Sequence, residues 1–182
     1  MGEQAFDLTI DAGDFQFVIL AGKKLARHRD QAFPQGGGIG RASAELFARV
    51  GASVVVNDIN ADAAAETVGN IEAGGGTATA FPGDITQRAT VDDMVDLACT
   101  TYGRLDVMFN NAGGSFPTPM LDIDEAEYRK IMALNIDATY FGTMAALRVM
   151  VPQGGGCILS TTSGAGLAAM PGLAVYGVAK AG

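Results

Sequence analysis

Tyr176 and Lys180 stand four residues apart in Tyr-Gly-Val-Ala-Lys, a spacing that puts both side chains on one face of a helix. A phenol next to an ammonium exchanges protons with a bound oxygen more readily than a phenol alone. Ser163, in Ser160-Thr161-Thr162-Ser163-Gly164, precedes the pair, and a hydroxyl leaving a strand can hold a carbonyl in front of the phenol. The Tyr-x3-Lys spacing alone also describes any solvated helix face, so its meaning depends on its neighbours.

A second group lies at the other end of the chain. Gly36-Gly37-Gly38-Ile39-Gly40 opens a helix at Arg41. Glycines there let a backbone approach a pyrophosphate, and a helix N-terminus offers free N–H groups to it. A plain tight turn has the same composition. Asp58 ends the next strand, where a carboxylate can accept hydrogen bonds from ribose hydroxyls and would repel a 2′-phosphate, favouring NAD over NADP. Asp58 can equally serve as a cap for the helix that starts near Asn60.

The elements that must position these groups follow an alternating rhythm. Helices are expected over 38–50, 60–73, 91–102 and 124–150, and a last one from about Ala174. Ala42, Leu46, Phe47 and Val50 are expected to face inward on the first of them. Short apolar runs at 52–56, 77–81, 105–109 and 157–161 read as strands, with Gly74-Gly75-Gly76 and Gly103 stopping the helices before them. Such alternation implies right-handed crossovers and a parallel α/β sheet covered by helices on both faces.

Composition narrows the partners. The 182 residues are 48% apolar and 18% charged, which marks a packed chain and one domain by length. A net charge of −8 argues against nucleic acid or an anionic membrane as partner. Cys99 and Cys157 form neither a disulfide framework nor a metal spacing, and His28 is the single histidine, so no metal site is expected. The apolar run at 15–20 is too short to cross a bilayer and has an acidic flank, so a soluble cytoplasmic protein is expected.

Several ordered pieces resemble the classical short-chain dehydrogenase/reductase family. Gly36 to Gly40 is similar to the second half of its glycine motif, and Gly83-Asp84-Ile85 to its acidic-aliphatic pair at the adenine. Asn110-Asn111-Ala112-Gly113 is similar to its motif after the fourth strand. Asn135, Ser163, Tyr176 and Lys180 match its catalytic tetrad, with Pro171-Gly172 between the last members. The resemblance covers 36–182 and implies a Rossmann-like doubly wound parallel sheet, a single NAD(P)-binding domain over 1–182, and an alcohol or ketone as small-molecule substrate.

It also implies roles. Tyr176 would exchange the proton at the substrate oxygen, and Lys180 would stabilise the phenolate and bind the nicotinamide ribose. Ser163 would polarise the carbonyl, and Asn135 would hold a water linking Lys180 to solvent. Gly36, Gly38, Ile39, Gly40, Asp58, Asp84, Ile85, Asn111, Ala112 and Gly113 would line an NAD cofactor together with Tyr176 and Lys180. Full-length relatives would form homo-oligomers. By itself, Asn110 reads as a tie between strands, and Ser160, Thr161 and Thr162 as strand-end polar groups.

Two departures stand out. Phe33 and Pro34 occupy the family's Thr-Gly positions, and 23–35 is a polar, basic stretch with no strand pattern. The first strand is therefore atypical or replaced, and the run at 15–20 is the nearby candidate for its slot, joined to the glycine turn by an irregular connection. A frame disruption within 23–35 would account for the abrupt change of composition. The sequence also ends two residues after Lys180, where the family continues with further strands and helices. With those last strands absent, a catalytic helix with little packed against it is expected. The alternative to an active oxidoreductase is an impaired fragment that at most binds the dinucleotide, or an incomplete product with no stable fold.

Overall fold

The structure is a computed structural model that describes the backbone of residues 16–20 and all of residues 38–182. Gly36, the polar stretch 23–35 and its connection to the glycine turn lie outside the described residues.

Five strands form one parallel sheet: β1 (Gln16–Leu20), β2 (Ser53–Asp58), β3 (Thr77–Pro82), β4 (Val107–Asn110) and β5 (Cys157–Ser160). Their order is β3-β2-β1-β4-β5, so the chain winds outward from β1 in both directions. The helices are α1 (Ile39–Arg49), α2 (Ala61–Ala73), α3 (Arg88–Tyr102), α4 (Glu125–Met132), α5 (Ala138–Gln153) and α6 (Ala174–Ala181). This is a Rossmann-like doubly wound fold. The strand from the 15–20 run occupies the expected central slot, pairing Gln16 to Leu20 with Ser53 to Asn57 and Phe17 to Ile19 with Val107 to Phe109.

Strands β2 and β4 bury both faces, and alternate residues divide between two cores. Val54, Val56 and Val107 pack with Ala44, Ala48 and Ile71 of α1 and α2. Val55 and Met108 face the opposite way, against Val91, Met94 and Val95 of α3 and Ala145 and Ala146 of α5. The outer strands differ from the expected covering: β3 is half-buried and β5 is mostly exposed.

The packing face of α1 corrects the expected one. Ala42 is exposed, as are Leu46 at 50% and Val50 at 58%, while Gly40, Ala44 and Ala48 form the buried stripe and Phe47 packs partly against it. Small residues every four positions let the helix approach the sheet closely, and the larger apolar residues are left at the side. The α2 end is equally tight, since a Cβ on Gly76 would lie 3.0 Å from that of Ala48.

The helical run expected over 124–150 is interrupted. One π-helical turn, Ala133–Asp137, separates α4 from α5. Such wide turns arise where another interaction competes with the regular ladder, and Asn135 lies within this one.

Met108 is fully buried at the centre of the larger core. Met108→Ala is expected to lower the unfolding free energy by about 2–5 kcal/mol, read as a shifted urea midpoint at constant slope. A loss of about 0.5 kcal/mol, typical of surface sites, would contradict this packing.

Candidate active site

The site lies along the carboxyl ends of the strands, where an open α/β sheet leaves a crevice at its switch point. Segment Asn110 to Gly114 leaves β4, Thr161 to Ser163 leaves β5, and Asp58 ends β2. Thr161 N–H donates to the Asn110 carbonyl at 2.9 Å and Thr161 Oγ1 donates to Asn111 Oδ1 at 2.8 Å, which ties the two exits together. Asn110 Nδ2 lies 3.4 Å from Thr143 Oγ1 and 3.5 Å from Ser160 Oγ, the strand-tying place expected for it.

Asn135 is the pivot. Its Oδ1 accepts from Gly114 N–H at 3.0 Å, while Nδ2 donates to the Gly114 carbonyl at 3.0 Å and to the Ile131 carbonyl at 2.8 Å. The buried amide thereby satisfies both backbone groups of Gly114, and losing it would leave them without partners at about 1–3 kcal/mol. Its side chain is engaged at both ends, so the expected water-holding role would fall to its main chain, whose carbonyl accepts from Thr139 Oγ1 at 3.3 Å.

Lys180 reaches into the same place from α6. Its Nζ donates to the Thr161 carbonyl at 3.0 Å and lies 5.8 Å from the centroid of the Tyr176 ring. Gly113 makes room: a Cβ there would stand 2.7 Å from Asn135 Oδ1 and 2.9 Å from Lys180 Nζ. The structure thus brings together Tyr176, Lys180, Gly113, Asn135 and Asn111.

Ser163 is placed beside this group. Its Oγ accepts from Ala165 N–H at 3.2 Å and caps the short turn Gly164–Gly166. Helix α6 rests on that turn, since a Cβ on Gly177 would lie 2.8 Å from the Ala165 carbonyl oxygen, and one on Gly166 would lie 2.5 Å from that of Lys180. Val175 and Ala179 are buried, and Thr162 Oγ1 donates to the Lys180 carbonyl at 3.1 Å. The helix is therefore seated, contrary to the expectation that little would pack against it.

The remaining residues fall into two further clusters. Asp84, Ile85 and Ala112 line a narrow cleft with a cavity volume of about 10 Å³, together with Asn57 and Gly83. Asp84 Oδ1 accepts from Thr86 N–H at 3.0 Å and Thr86 Oγ1 at 2.7 Å, and Ile85 and Ala112 turn their side chains into the core. Gly38 stands just before α1 as its N-cap, with Ile39 exposed and Gly40 buried. Asp58, 5% exposed, accepts from Asn60 N–H at 2.9 Å. Burial pushes its carboxyl up, opposed by the Asn60 bond and the charge of Arg41. Asn60 rather than Asp58 caps α2, its Oδ1 accepting from Asp62 and Ala63 N–H, while Asp58 accepts from the N–H of that capping residue.

Three contributors were not expected from the sequence: the Thr161 carbonyl that receives Lys180, Asn57, and both backbone groups of Gly114. The first and last are main-chain atoms with no residue signature. Asn57 Nδ2 donates to the Phe81 and Gly83 carbonyls at 2.7 and 3.2 Å, which steadies the turn that carries Asp84.

These features define a doubly wound α/β protein with a Tyr–Lys pair held at the carboxyl ends of its strands. Residues 35–182 match the short chain dehydrogenase family, and the chain belongs to that family. It is 41% identical over 128 residues to a 7alpha-hydroxysteroid dehydrogenase of Escherichia coli (strain K12), covering 70% of this chain and 50% of that protein. It is 38% identical over 146 residues to an uncharacterized oxidoreductase of Thermotoga maritima, covering 80% of this chain and 57% of that one. A solved 7 alpha-hydroxysteroid dehydrogenase, complexed with NADH and 7-oxo glycochenodeoxycholic acid, superposes with a TM-score of 0.82 at 34% identity, over 93% of this chain and 61% of that one. The chain therefore spans about half the length of the curated relatives it matches.

Burial holds the Lys180 ammonium below the ordinary lysine value. The charged form is the one that burial penalises, so this penalty is fully present below the lowered folded value and is relieved as pH rises toward the unfolded one. Wild-type stability relative to Lys180→Met is expected to increase with pH across that alkaline window. Denaturant melts at several pH values check this, and a difference that stays flat would contradict a buried ammonium.

Proposed function

We propose that this chain carries the dinucleotide-binding and proton-transfer machinery of an NAD(H)-dependent oxidoreductase that interconverts a secondary alcohol and a ketone. One observation carries the reading: Lys180 Nζ, anchored on the Thr161 carbonyl, stands close to the Tyr176 ring in a space that Gly113 keeps open and Asn135 braces. The names of the relatives, which include a diacetyl reductase of Staphylococcus epidermidis at 36% identity, favour a carbonyl substrate of this type.

The residues present fit a dinucleotide. Gly113 admits no side chain, Asp58 sits buried at the end of β2, and a narrow cleft is lined by their chain neighbours Asn57, Ile59 and Ala112 together with Asp84 and Ile85. Asp58 would take the adenosine ribose hydroxyls and disfavour a 2′-phosphate, Asp84 and Ile85 would border the adenine, and Gly38, Ile39 and Gly40 would pass the pyrophosphate with Gly36. Asn111, Ala112 and Gly113 would border the nicotinamide side.

When bound, the nicotinamide supplies or accepts the hydride. In the direction of reduction, Tyr176 would deliver its phenolic proton to the substrate oxygen and would recover a proton from solvent afterwards. Lys180 would offset the charge left on the phenolate and would hold the nicotinamide ribose. Ser163 Oγ accepts from the Ala165 N–H, so its hydroxyl proton is available for donation to the substrate oxygen. Asn135 is a positioning residue that fixes Gly114 and, through it, the floor of the site.

Residues 1–182 would act as one dinucleotide-binding unit. A cytoplasmic setting agrees with the fact that no described helix is long and apolar enough to cross a membrane. A homo-oligomeric assembly, as the family resemblance implies, belongs to the same reading.

Tyr176→Phe is expected to reduce NADH-dependent ketone turnover by about 10²–10⁴-fold while leaving NADH affinity within threefold, about 0.7 kcal/mol. Binding by calorimetry and turnover with a panel of secondary alcohols and ketones separate the two effects. An active Tyr176→Phe chain would end the acid–base assignment, and a wild type that binds NADH without turning over any member of the panel would favour the binding-only alternative.

A further inference from the structure

Three bonds meet at Thr161, one residue past the end of β5. Its N–H donates to the Asn110 carbonyl at 2.9 Å, its Oγ1 donates to Asn111 Oδ1 at 2.8 Å, and its carbonyl accepts from Lys180 Nζ at 3.0 Å. The first two fix the residue against the segment that leaves β4. The third anchors the ammonium that stands 5.8 Å from the centroid of the Tyr176 ring. The next residue holds the same lysine by its main chain, because Thr162 Oγ1 donates to the Lys180 carbonyl at 3.1 Å. An ammonium carries three donors; the Thr161 carbonyl takes one and so sets the direction of the other two.

We propose that Thr161 is a positioning residue for the nicotinamide half of the dinucleotide: its hydroxyl, held on Asn111, keeps its carbonyl in the place that aims Lys180. The inference rests on the dinucleotide reading given above. A carbonyl at the end of a strand swings when its peptide plane rotates. Here the plane is pinned on one side by the Thr161–Asn111 bond and on the other by the Thr162–Lys180 bond. The crowding at Gly113 makes the aim matter, since a Cβ there would stand 2.9 Å from Lys180 Nζ and 2.7 Å from Asn135 Oδ1. Small errors in placing a polar group against a ligand are costly.

Thr161→Val keeps the branched shape and removes the donor. Asn111 Oδ1 then loses this partner, the Thr161 peptide gains freedom, and Nζ moves with the carbonyl it follows. Thr161→Ser keeps the donor and loses only a methyl group. Asp58 ends β2 and Asp84 follows β3, so the adenosine half rests on segments that the three Thr161 bonds do not touch.

The test is calorimetric titration of the full chain with NADH and with ADP, which lacks the nicotinamide half. Thr161→Val is expected to weaken NADH binding by about fivefold and to leave ADP within about twofold, while Thr161→Ser binds both as the wild type does. A general loosening of the site would weaken both ligands together. Unchanged NADH binding in Thr161→Val, equal losses for NADH and ADP, or a loss that Thr161→Ser shares each overturn the proposal and leave the dinucleotide reading standing. If Thr161→Val fails to fold, Thr161→Ala takes its place. Failure of both overturns the proposal, because the hydroxyl is then needed for the fold and not for the aim of Lys180. A wild type that binds neither ligand ends the dinucleotide reading and this inference together.

Discussion

Parallel pairing of β1 with both β2 and β4 is the constraint on which the molecule depends. Every other strand lies to one side of it, and the direction in which the sheet grows reverses there. An empty slot would leave two half-sheets with unpaired backbone on facing edges, which folded chains do not tolerate in a core. The five-residue register against Ser53 to Asn57 and the shorter one against Val107 to Phe109 close that gap. They also set the relative height of β2 and β4, so that Asp58 and Asn110 finish on the same edge of the sheet.

What that edge holds is organised by main-chain atoms as much as by side chains. Asn135 closes both backbone groups of Gly114, the Thr161 carbonyl receives Lys180, and Thr161 N–H returns to Asn110. Each link joins segments far apart in sequence, and the first two hold the Asn135 and Lys180 side chains in place. Half-burial holds the Lys180 ammonium below its ordinary value while placing it near the Tyr176 ring. Elsewhere, Arg41 of α1 is paired with Glu66 of α2.

Much of this was legible in the sequence. The alternation of strands and helices, the stop at Gly103 and the Tyr/Lys face follow from local periodicity and turn chemistry, and the slot for 15–20 followed by exclusion. The inward face of α1 was not legible from hydrophobicity, because the criterion at a helix–sheet contact is room: Ala44 and Ala48 fit and Leu46 does not. The π turn was hidden for a different reason. Residues 124–150 carry a continuous helical pattern, and the interruption is imposed by the bond from Asn135 to a loop more than twenty positions earlier. The Thr161 carbonyl and the Glu66 clasp on Arg41 likewise depend on which elements the fold brings together.

A crystal structure of the chain with NAD bound tests the central claim most directly. The account predicts the nicotinamide ribose within hydrogen-bond distance of Lys180 Nζ, the Tyr176 hydroxyl beside the nicotinamide, and the adenine bordered by Asp84 and Ile85. A dinucleotide lodged elsewhere on the sheet, with no contact to Lys180, would contradict it.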